Sequence, residues 1–560
     1  MRGWTAPGAV ALAVTVTAGL LAASCSEETP AIDRALIAGN LFSNQVRQGV
    51  GPLSIEITGR GLQWVESAWL EDLPVTVRQG VTGADGGVTV DLVVPHGTMP
   101  GARSLTLTLK DNRPILTQDR AVEVTTIRAT AQGDDAVGLG TPEHPFRSLT
   151  KALGLSAGGD QVELGAGTYT LVSGERWPSE SGSPPSPPVN NVPDGVVLVG
   201  AGSAVTALDG TGLLASAAPL IFGGGAGVQG MTLRNFHRGL VVGRGLVNAT
   251  DVAVASCTAE GAIAYGSAVL RLTSVAISGC SAGVRALDSA YLEITDSNFD
   301  GNGVGVAFDG SSRGLVSSSG CHGNAGAGVA ISARGTDITL DGVTADQNGQ
   351  GAAPASSGIY VTGTPRLTLR SGTLSSNRGS GLYASGTGSF SLSVMNATLN
   401  GLDGYTFDGV TSAMVDKSQA LQNSADGLQV TATGDPQVDV SASTLRGNNQ
   451  AGATVRAGTT SIRSSTIDGN GTHGVRVLNA AALSLPWDPL LDAQADVISA
   501  KLVTNACLSD ERAQSAGSTI SVVHALLQGA VVPAGLVQGP VDRTPQYRIV
   551  SSNNQINFLP

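Results

Sequence analysis

Two short stretches of this 560-residue sequence combine a histidine with an arginine: Asn235–Gly239 (NFHRG) and Thr472–Arg476 (THGVR). An imidazole can accept or donate a proton near neutral pH, and a guanidinium can hold a carboxylate of a substrate. Enzymes that cleave acidic polysaccharides also need several carboxylates, either to bind calcium or to act as acid and nucleophile. No cluster of acids accompanies either stretch. We therefore expect His237 and His473 to be solvated turn residues.

The aspartates of the repeat region do not stand at a fixed offset from its glycines. Examples are Asp288, Asp296, Asp309, Asp341, Asp416 and Asp439. Catalysis of glycoside cleavage requires carboxylates at a defined separation. The sequence thus predicts no catalytic residues, no metal site and no cofactor. A polysaccharide lyase or glycoside hydrolase stays open as the alternative to a protein without catalysis.

Glycines followed by an apolar residue recur from Gly239 onward at intervals of about 22 residues, with one longer interval before Gly358. Each interval contains about three short runs with alternating apolar residues, and none sustains the 3.6-residue period of a helix. This pattern predicts one turn of a parallel β-helix per repeat, with neighbouring turns roughly 4.8 Å apart.

An amide side chain precedes most of these glycines. Stacked amides can accept a hydrogen bond from one turn and donate to the next, so they are predicted to form a structural ladder. The predicted rungs are Asn235, Asn302, Asn324, Asn348, Asn377, Asn400, Asn423, Asn448 and Asn470.

Cys257 and Cys280 occupy two rungs in place of asparagine. On adjacent turns their Cα atoms would be about 4.8–5.5 Å apart, which a disulfide can span. We predict either a disulfide or a stacked thiol pair. Tyr360 and Tyr383 also fall on neighbouring turns and should point outwards. This pair is predicted to bind a ligand, either sugar or protein.

The segment Ala131–Tyr169, which contains GTPEHPFRSLTKAL, resembles the opening of a branch of bacterial right-handed β-helix proteins of the pectate-lyase-like superfold. The resemblance implies an all-β right-handed parallel β-helix over residues 129–483, capped at its start by a helix near Ser148–Leu155. Asparagine ladders are known in that group, and its enzymes cut or epimerise acidic polysaccharides. The GHG and DPH motifs of polygalacturonases and alginate epimerases do not occur in this sequence.

The first residues resemble a bacterial lipoprotein signal. Arg2 precedes the apolar run Ala9–Ala23, and LAASC ends at Cys25. This run is short for a membrane span. The resemblance implies removal of residues 1–24, a lipid anchor on Cys25 that makes the membrane a partner, and, because Ser26 follows, an outer-membrane or cell-surface location. Residues 25–35 are predicted to be a tether.

Residues 36–128 alternate with period two, which predicts a small antiparallel β-sandwich. Their order resembles immunoglobulin-like IPT/TIG domains and implies a spacer or binding module. Ser173–Gly195 is predicted to be a Pro/Ser-rich loop. Residues 484–560, where the repeat stops, are predicted to be a C-terminal cap with Trp487 over the last turn.

The formal net charge of −12 argues against nucleic acid as a partner. Taken together, these patterns favour a cell-envelope lipoprotein that acts as a surface binding, adhesion or structural module without catalysis. Polysaccharide and a cell-surface protein are its candidate ligands.

Overall fold

The computed structural model describes residues 29–37, 44–78, 87–170, 175, 191–212, 220–349, 356–431, 435–463, 465–471, 474–478, 482–485, 500–503, 508–511, 519–522, 526–527, 549–551 and 555–558. Cys25, His473, Trp487, most of the Pro/Ser-rich loop and most of the insertion before Gly358 lie outside these residues. Among those described, no helix is both long and apolar enough to cross a membrane.

Eight strands between Ala31 and Thr125 form two four-stranded sheets, ordered β1-β3-β6-β5 and β2-β8-β7-β4. Their bounds are β1 Ala31–Ile37, β2 Gln45–Arg47, β3 Val50–Arg60, β4 Val65–Leu70, β5 Val75–Arg78, β6 Val88–Val94, β7 Gly101–Leu109 and β8 Leu116–Thr125, with a 3-10 turn at Leu62–Trp64. Side chains alternate as the period-two pattern predicts, and Ile55 and Ile57 are fully buried on β3. Because β1 begins at Ala31, part of the predicted tether is a strand.

The rest of the chain is a parallel β-helix whose coils contain up to three strands, named here by their order after the repeat glycine. The first-series strands form a 15-stranded sheet. They are Asn191–Val192, Leu220–Phe222, Leu240–Val242, Glu260–Ala264, Ala282–Ala286, Val304–Phe308, Val329–Ile331, Ile359–Val361, Leu382–Ser385, Tyr405–Asp408, Leu428–Thr431, Ala453–Val455, Val475–Leu478, Leu508–Glu511 and Ile549–Ser551.

The second and third series also pair in parallel from coil to coil, and Gly227–Arg234 and Leu246–Ala255 run through both. The other second-series strands are Ile127–Ala129, Gln161–Leu164, Val197–Gly200, Val269–Thr273, Tyr291–Thr295, Arg313–Ser317, Arg334–Asp341, Thr364–Arg370, Ser389–Ser393, Ser412–Asp416, Gln437–Ser441, Thr459–Arg463, Ala482–Leu485, Thr519–Val522 and Gln555–Phe558. The other third-series strands are Gly167–Tyr169, Thr206–Asp209, Ala276–Ser278, Asn298–Asp300, Gly320–His322, Thr344–Asp346, Thr373–Ser375, Asn396–Thr398, Gln419–Leu421, Thr444–Arg446, Ser465–Asp468, Ala500–Val503 and Leu526–Leu527.

Apolar side chains at equivalent positions of successive coils fill the bore. Val284 is in register with Val306, and Leu382 with Tyr405, and all four are fully buried. They belong to one continuous core cluster that extends from Ile127 to Val475. Since burying such a side chain contributes roughly 1.5–3 kcal/mol, the interior of the stack is a main source of stability.

A five-residue helix, α1 (Leu149–Leu153), packs on the N-terminal end of this core through Leu149, Ala152 and Leu153. Ser148 is its N-cap and accepts a hydrogen bond from the Lys151 backbone N–H at 3.1 Å. The Glu175 carboxylate accepts from the backbone N–H of Leu149 at 2.7 Å. Burial raises the pKa of Glu175. The helix lies where the resemblance to β-helix proteins places a cap.

Each coil turns sharply between its second and third strands, where a buried serine often follows a residue with positive φ. Ser297 follows Asp296 (φ 50), and Ser319 follows Ser318 (φ 47). The Ser297 backbone N–H donates to Ser319 Oγ at 3.1 Å. This serine ladder was not predicted from the sequence.

The asparagine ladder occupies the second turn, between a third-series strand and the next first-series strand. The Asn377 backbone N–H and its Nδ2 both donate to Asn400 Oδ1, at 3.1 and 3.0 Å. Asn377 Nδ2 also donates to the Ala345 carbonyl at 2.9 Å. The residues placed as buried rungs are Asn302, Asn324, Asn348, Asn377, Asn400, Asn423, Asn448 and Asn470.

Asn235 is not a rung, which corrects the prediction. It is exposed, has a φ of 62°, and its Nδ2 donates to Asp209 Oδ1 at 2.9 Å. Phe236 takes the rung position. Its carbonyl accepts from the Thr258 N–H, in the same way that the carbonyl of a rung such as Asn302 accepts from the Ala325 N–H of the next coil.

Burial raises the pKa of Asp209, but hydrogen bonds from Thr211, Asn235 and Arg234 outweigh it and lower this pKa to about 2.

The left-handed backbone position is the residue before the rung, for example Gly323 (φ 59) and Leu399 (φ 58). The repeat glycine is required for a different reason. A Cβ on Gly381 would lie 2.7 Å from the Gly404 carbonyl oxygen, so the strands approach too closely there for a side chain.

Parallel pairing continues beyond residue 483, where the sequence predicted a cap. Ala482–Leu485 pairs with Thr519–Val522, which in turn pairs with Gln555–Phe558. The described strands of residues 484–560 are therefore further coils. The sequence missed them because their glycine and asparagine pattern is lost.

Candidate functional site

Tyr360 and Tyr383 form a stacked pair on the outer face of the first-series sheet. They are in register on adjacent strands, with ring centroids 5.6 Å apart and ring planes 17° apart. Their neighbours Ile359 and Leu382 are fully buried in the core. Because strand side chains alternate, both tyrosines point away from the bore and are half-buried.

A carboxylate anchors the second ring of this pair. Tyr383 Oη donates to Asp408 Oδ2 at 3.2 Å, and Thr431 Oγ1 donates to Asp408 Oδ1 at 2.9 Å. Burial, together with the Asp408 charge, raises the pKa of Tyr383 to about 12. The phenol is thus a neutral donor at physiological pH. Ala330 is in register with Tyr360 on the preceding strand and contributes a methyl group on that side of the ring.

A chain of ion pairs lies on the same sheet before the tyrosines. Arg238 Nε bonds Glu260 Oε2 at 2.6 Å, and Arg285 Nε bonds Asp309 Oδ2 at 2.7 Å. Glu260 lies 3.6 Å from Arg285 as well, and Ser332 donates to Asp309. Burial raises the pKa of Glu260, but Arg238 outweighs that effect and lowers it overall. Both guanidiniums are therefore held by carboxylates of the protein.

A cleft of about 540 Å³ opens beside the first-series strands that end at Phe222, Val242 and Ala264. Tyr265 is 39% exposed at its wall, and its ring is 2.9 Å from where a Cβ on Gly243 would stand. Arg244 and Asp194 form an exposed ion pair of 3.3 Å in the same cleft. The site offers one aromatic surface and a pair of opposite charges.

An acid–histidine–acid column lies on the third-series strands, with Asp300, His322 and Asp346 in register on three successive coils. His322 Nδ1 is hydrogen-bonded to Asp346 Oδ1, and both side chains are partly exposed. Asp300 Oδ1 is buried without a hydrogen-bond partner. The imidazole Nε2 and the amide oxygen of Asn298 lie 2.1 and 2.7 Å from where a Cβ on Gly320 would stand.

Sequence reasoning missed this column, because its members are about 22 residues apart and mean little until the coils are aligned. Aligning the third-series strands residue by residue, instead of counting from the repeat glycine, is the signal that would have found it.

Two buried aspartates correct the expectation that no carboxylates stack. The Asp426 backbone N–H donates to Asp403 Oδ1 at 2.9 Å, and Ala451 N–H donates to Asp426 Oδ1 at 2.8 Å. Thr406 Oγ1 donates to Asp403 Oδ2 at 2.8 Å. Burial raises the pKa of Asp403 to about 6. Since they bind backbone groups and are barely exposed, these aspartates are structural.

Cys257 and Cys280 are buried as free thiols rather than a disulfide. Hydrogen bonding to Cys280, followed by burial, raises the pKa of the Cys257 thiol. Cys280 Sγ donates to the Ser278 carbonyl at 3.4 Å. Cys321 faces the core in register with Phe299, and burial raises its pKa too. Cys257 and Cys280 are a stacked thiol pair, and Cys321 is a separate packing group in the core.

His237 lies at a turn, where its Nδ1 is 2.9 Å from Thr258 Oγ1. Within the described residues, no group of three or more His, Cys, Asp or Glu side chains is placed to hold a metal ion.

A family model described as "Right handed beta helix region" matches residues 240–394 and 352–485. Residues 240–485 are a right-handed β-helix. A second model, a protein family of unknown function (DUF1565), matches residues 131–310 and so includes the segment with the N-terminal helix.

Solved structures to which the chain is similar include an alginate epimerase, a glucanase and a lyase. The periplasmic alginate epimerase AlgG is 10% identical, with 59% of this chain and 78% of that chain covered and a TM-score of 0.33. The GH87 α-1,3-glucanase of Streptomyces thermodiastaticus strain HF3-3 is 13% identical, with 78% and 89% covered and a TM-score of 0.40. A rhamnogalacturonan lyase is 9% identical, with 77% and 87% covered and a TM-score of 0.16. No curated protein matches the sequence.

Proposed function

We propose that the protein is a polysaccharide-binding module of the cell envelope and that the outer face of the first-series sheet is its binding surface. The observation that carries this proposal is the parallel, half-buried pair Tyr360 and Tyr383. Sugar rings present flat C–H surfaces that pack on aromatic rings, and tyrosine supplies such a surface with little loss of side-chain entropy.

Polar groups around the pair support a sugar as the ligand. Asp408, Ser332 and Thr431 provide carboxylate and hydroxyl oxygens on the same sheet, within a few residues of the rings along the strands. Sugar hydroxyls donate to and accept from such groups. The Tyr265 cleft adds a second aromatic contact on this sheet.

The test is a glycan array followed by titration calorimetry with the double variant Tyr360→Ala/Tyr383→Ala. Removing both rings should weaken binding at least about tenfold, since each buried aromatic contact contributes on the order of 1 kcal/mol. Tyr291→Ala is the matched control, because Tyr291 is equally half-buried but lies on a second-series strand. Unchanged binding by the double variant would contradict the proposal.

A polysaccharide-cleaving enzyme is the second candidate, favoured by the column of Asp300, His322 and Asp346. An imidazole oriented by a carboxylate is suited to act as a general base or acid. Here Asp346 holds Nδ1 and leaves Nε2 as the proton-transferring atom. New reducing ends or unsaturated products that appear with the intact protein and vanish with His322→Ala would establish catalysis. If the protein binds polysaccharide and forms neither product, the result favours the binding module over the enzyme.

We also propose that Cys25 carries a lipid anchor and places the protein in the outer membrane or at the cell surface. The sequence LAASC and the preceding apolar run support this proposal. The variant Cys25→Ser should move from the membrane fraction to the soluble fraction on cell fractionation. An unchanged distribution would contradict the anchor.

A further inference from the structure

We infer that the open face of Tyr360 is a subsite for one uncharged pyranose ring of a polysaccharide, which sits over Ala330 and continues the tyrosine stack. This inference rests on the proposed function, because it specifies the ligand class at the same surface. It follows from which side chains occupy one column of the first-series sheet.

The column contains Arg285, Ala307, Ala330, Tyr360 and Tyr383 in register on five successive strands. Strands in a sheet are roughly 4.8 Å apart, and aromatic rings stack with centroids about 4.5–7 Å apart. One face of the Tyr360 ring is covered by Tyr383. The other face looks along the column to Ala330, which is half-buried, and then to Ala307, which is buried. Among the described residues the stack of rings therefore stops at Tyr360, and one further ring would lie over Ala330.

Polar groups line one side of this position. Asp309, Ser332 and Thr362 stand two residues further along the strands that carry Ala307, Ala330 and Tyr360. Two residues of strand span roughly 6.6 Å, so these groups point outwards beside the methyl floor.

A ring seated over Ala330 would have apolar contact on its face and oxygen acceptors at its edge. A polymer that stacks in this way runs along the strands, across the axis of the β-helix.

The charges at this surface select against acidic sugars. Among the charged side chains described above, Glu260, Asp309 and Asp408 provide three carboxylates, whereas Arg238 and Arg285 provide two guanidiniums. Both arginines are already paired, at 2.6 and 2.7 Å. A uronate would have to break one of these ion pairs or face the carboxylates directly. The net charge of −12 also repels acidic polysaccharides at long range.

The subsite is tested by filling it. Ala330→Phe should extend the aromatic stack into the space that the sugar ring would take, so affinity for neutral oligosaccharides should fall at least about tenfold. The control is Ser391→Phe, which places the same ring on a half-buried outward position of a second-series strand. The probes are glucan, mannan and galactan oligosaccharides, with alginate and polygalacturonate as acidic polymers. Thermal melts establish that both variants are folded, and Ala330→Leu replaces Ala330→Phe if the latter is not.

The outcomes separate this inference from the proposed function. Neutral binding that Ala330→Phe abolishes and Ser391→Phe retains supports the subsite. If Tyr360→Ala/Tyr383→Ala loses binding while Ala330→Phe does not, the subsite is wrong and the binding surface stands. Binding of alginate or polygalacturonate as tightly as the neutral glycans would overturn the assignment of ligand class. Binding that survives removal of both tyrosines would overturn the proposed function itself.

Discussion

The turn before each first-series strand is built in two ways along the same stack. From Asn302 to Asn470 its interior holds asparagines that bond one another and the backbone. In the coils before Asn302 the same position holds Phe236, Cys257 and Cys280, which are also buried. The strands pair in parallel in both regions. The turn thus needs a side chain that fits its interior, and either an amide or an apolar group meets this need. The amides add hydrogen bonds that packing alone does not provide.

The largest effect should come from removing one amide in the middle of the ladder. Asn377→Ala removes the partner of the Asn348 N–H and the Asn377 donor to the Ala345 carbonyl, and it removes one of the two acceptors of Asn348 Nδ2. Each unpaired buried group costs about 1–3 kcal/mol, so we expect a loss of about 4 kcal/mol in the free energy of unfolding, measured by urea denaturation. Asn298→Ala, at an exposed strand residue outside the ladder, should cost at most about 1 kcal/mol. Equal losses would show that the ladder bonds do not stabilise the stack.

The buried aspartates give the next largest effect, and it depends on pH. Asp403 has a folded pKa of about 6 against an ordinary value of 3.8, because burial disfavours its charged form. Its protonation therefore stabilises the fold fully below pH 3.8, and this contribution is lost as the pH rises through 6.

Asp403→Asn keeps the acceptor for the Asp426 N–H without the charge. It should raise the free energy of unfolding at pH 7.5 by about 2–3 kcal/mol and change it little at pH 4. Asp439→Asn, on an exposed residue, is the control. A gain that is the same at both pH values would contradict the burial argument.

A smaller effect should follow from converting one region into the other. Cys280→Asn places an amide directly before Asn302, whose Oδ1 already accepts from the residue 280 N–H at 3.0 Å. We expect stability within about 1 kcal/mol of the original protein, because the turn interior accepts either side chain and the new amide can bond Asn302. Cys321→Asn puts the same amide into the core and should cost about 3 kcal/mol. Thermal and urea unfolding of both variants provide the measurement.

The smallest effects concern the left-handed residue that precedes each rung. Gly323 has a φ of 59° and open space around its Cα, so Gly323→Ala adds only backbone strain and should cost about 1 kcal/mol. Leu399 has nearly the same φ and is 56% exposed. Leu399→Gly should therefore gain about 0.5–1 kcal/mol. Chemical denaturation should show a lower free energy of unfolding for Gly323→Ala and a higher one for Leu399→Gly. Changes in the same direction would contradict the strain argument.

The β-helix and most of its ladder could be predicted because buried amides interrupt an apolar pattern at a regular interval. Counting back from the repeat glycine placed Asn235 on a rung, since the turn accommodates three or four residues before that glycine. The backbone conformation shows which of the two residues is the rung. Asn235 has a left-handed φ and is exposed, whereas Phe236 is buried. The neighbouring Tyr360 and Tyr383 follow from the same interval, and the structure stacks their rings.

The acid–histidine–acid column could not be predicted in this way. Its members are brought together by the register of three third-series strands. They stand 5, 6 and 12 residues before the next repeat glycines, Gly305, Gly328 and Gly358, so no constant offset marks them. The serine ladder and the Asp403–Asp426 stack were missed for a related reason. Serine and aspartate are common in surface turns, so their burial is not visible from residue type.

The asparagine ladder also has a direction. From Asn324 to Asn448 every Nδ2 donates towards the next coil and every Oδ1 is approached from the previous one. The amide dipoles are thus aligned head to tail, and each bond polarises the next. The ladder is therefore polar, with its side-chain N–H···O bonds directed towards Asn470. A rung lost near the middle interrupts this alignment as well as its own hydrogen bonds.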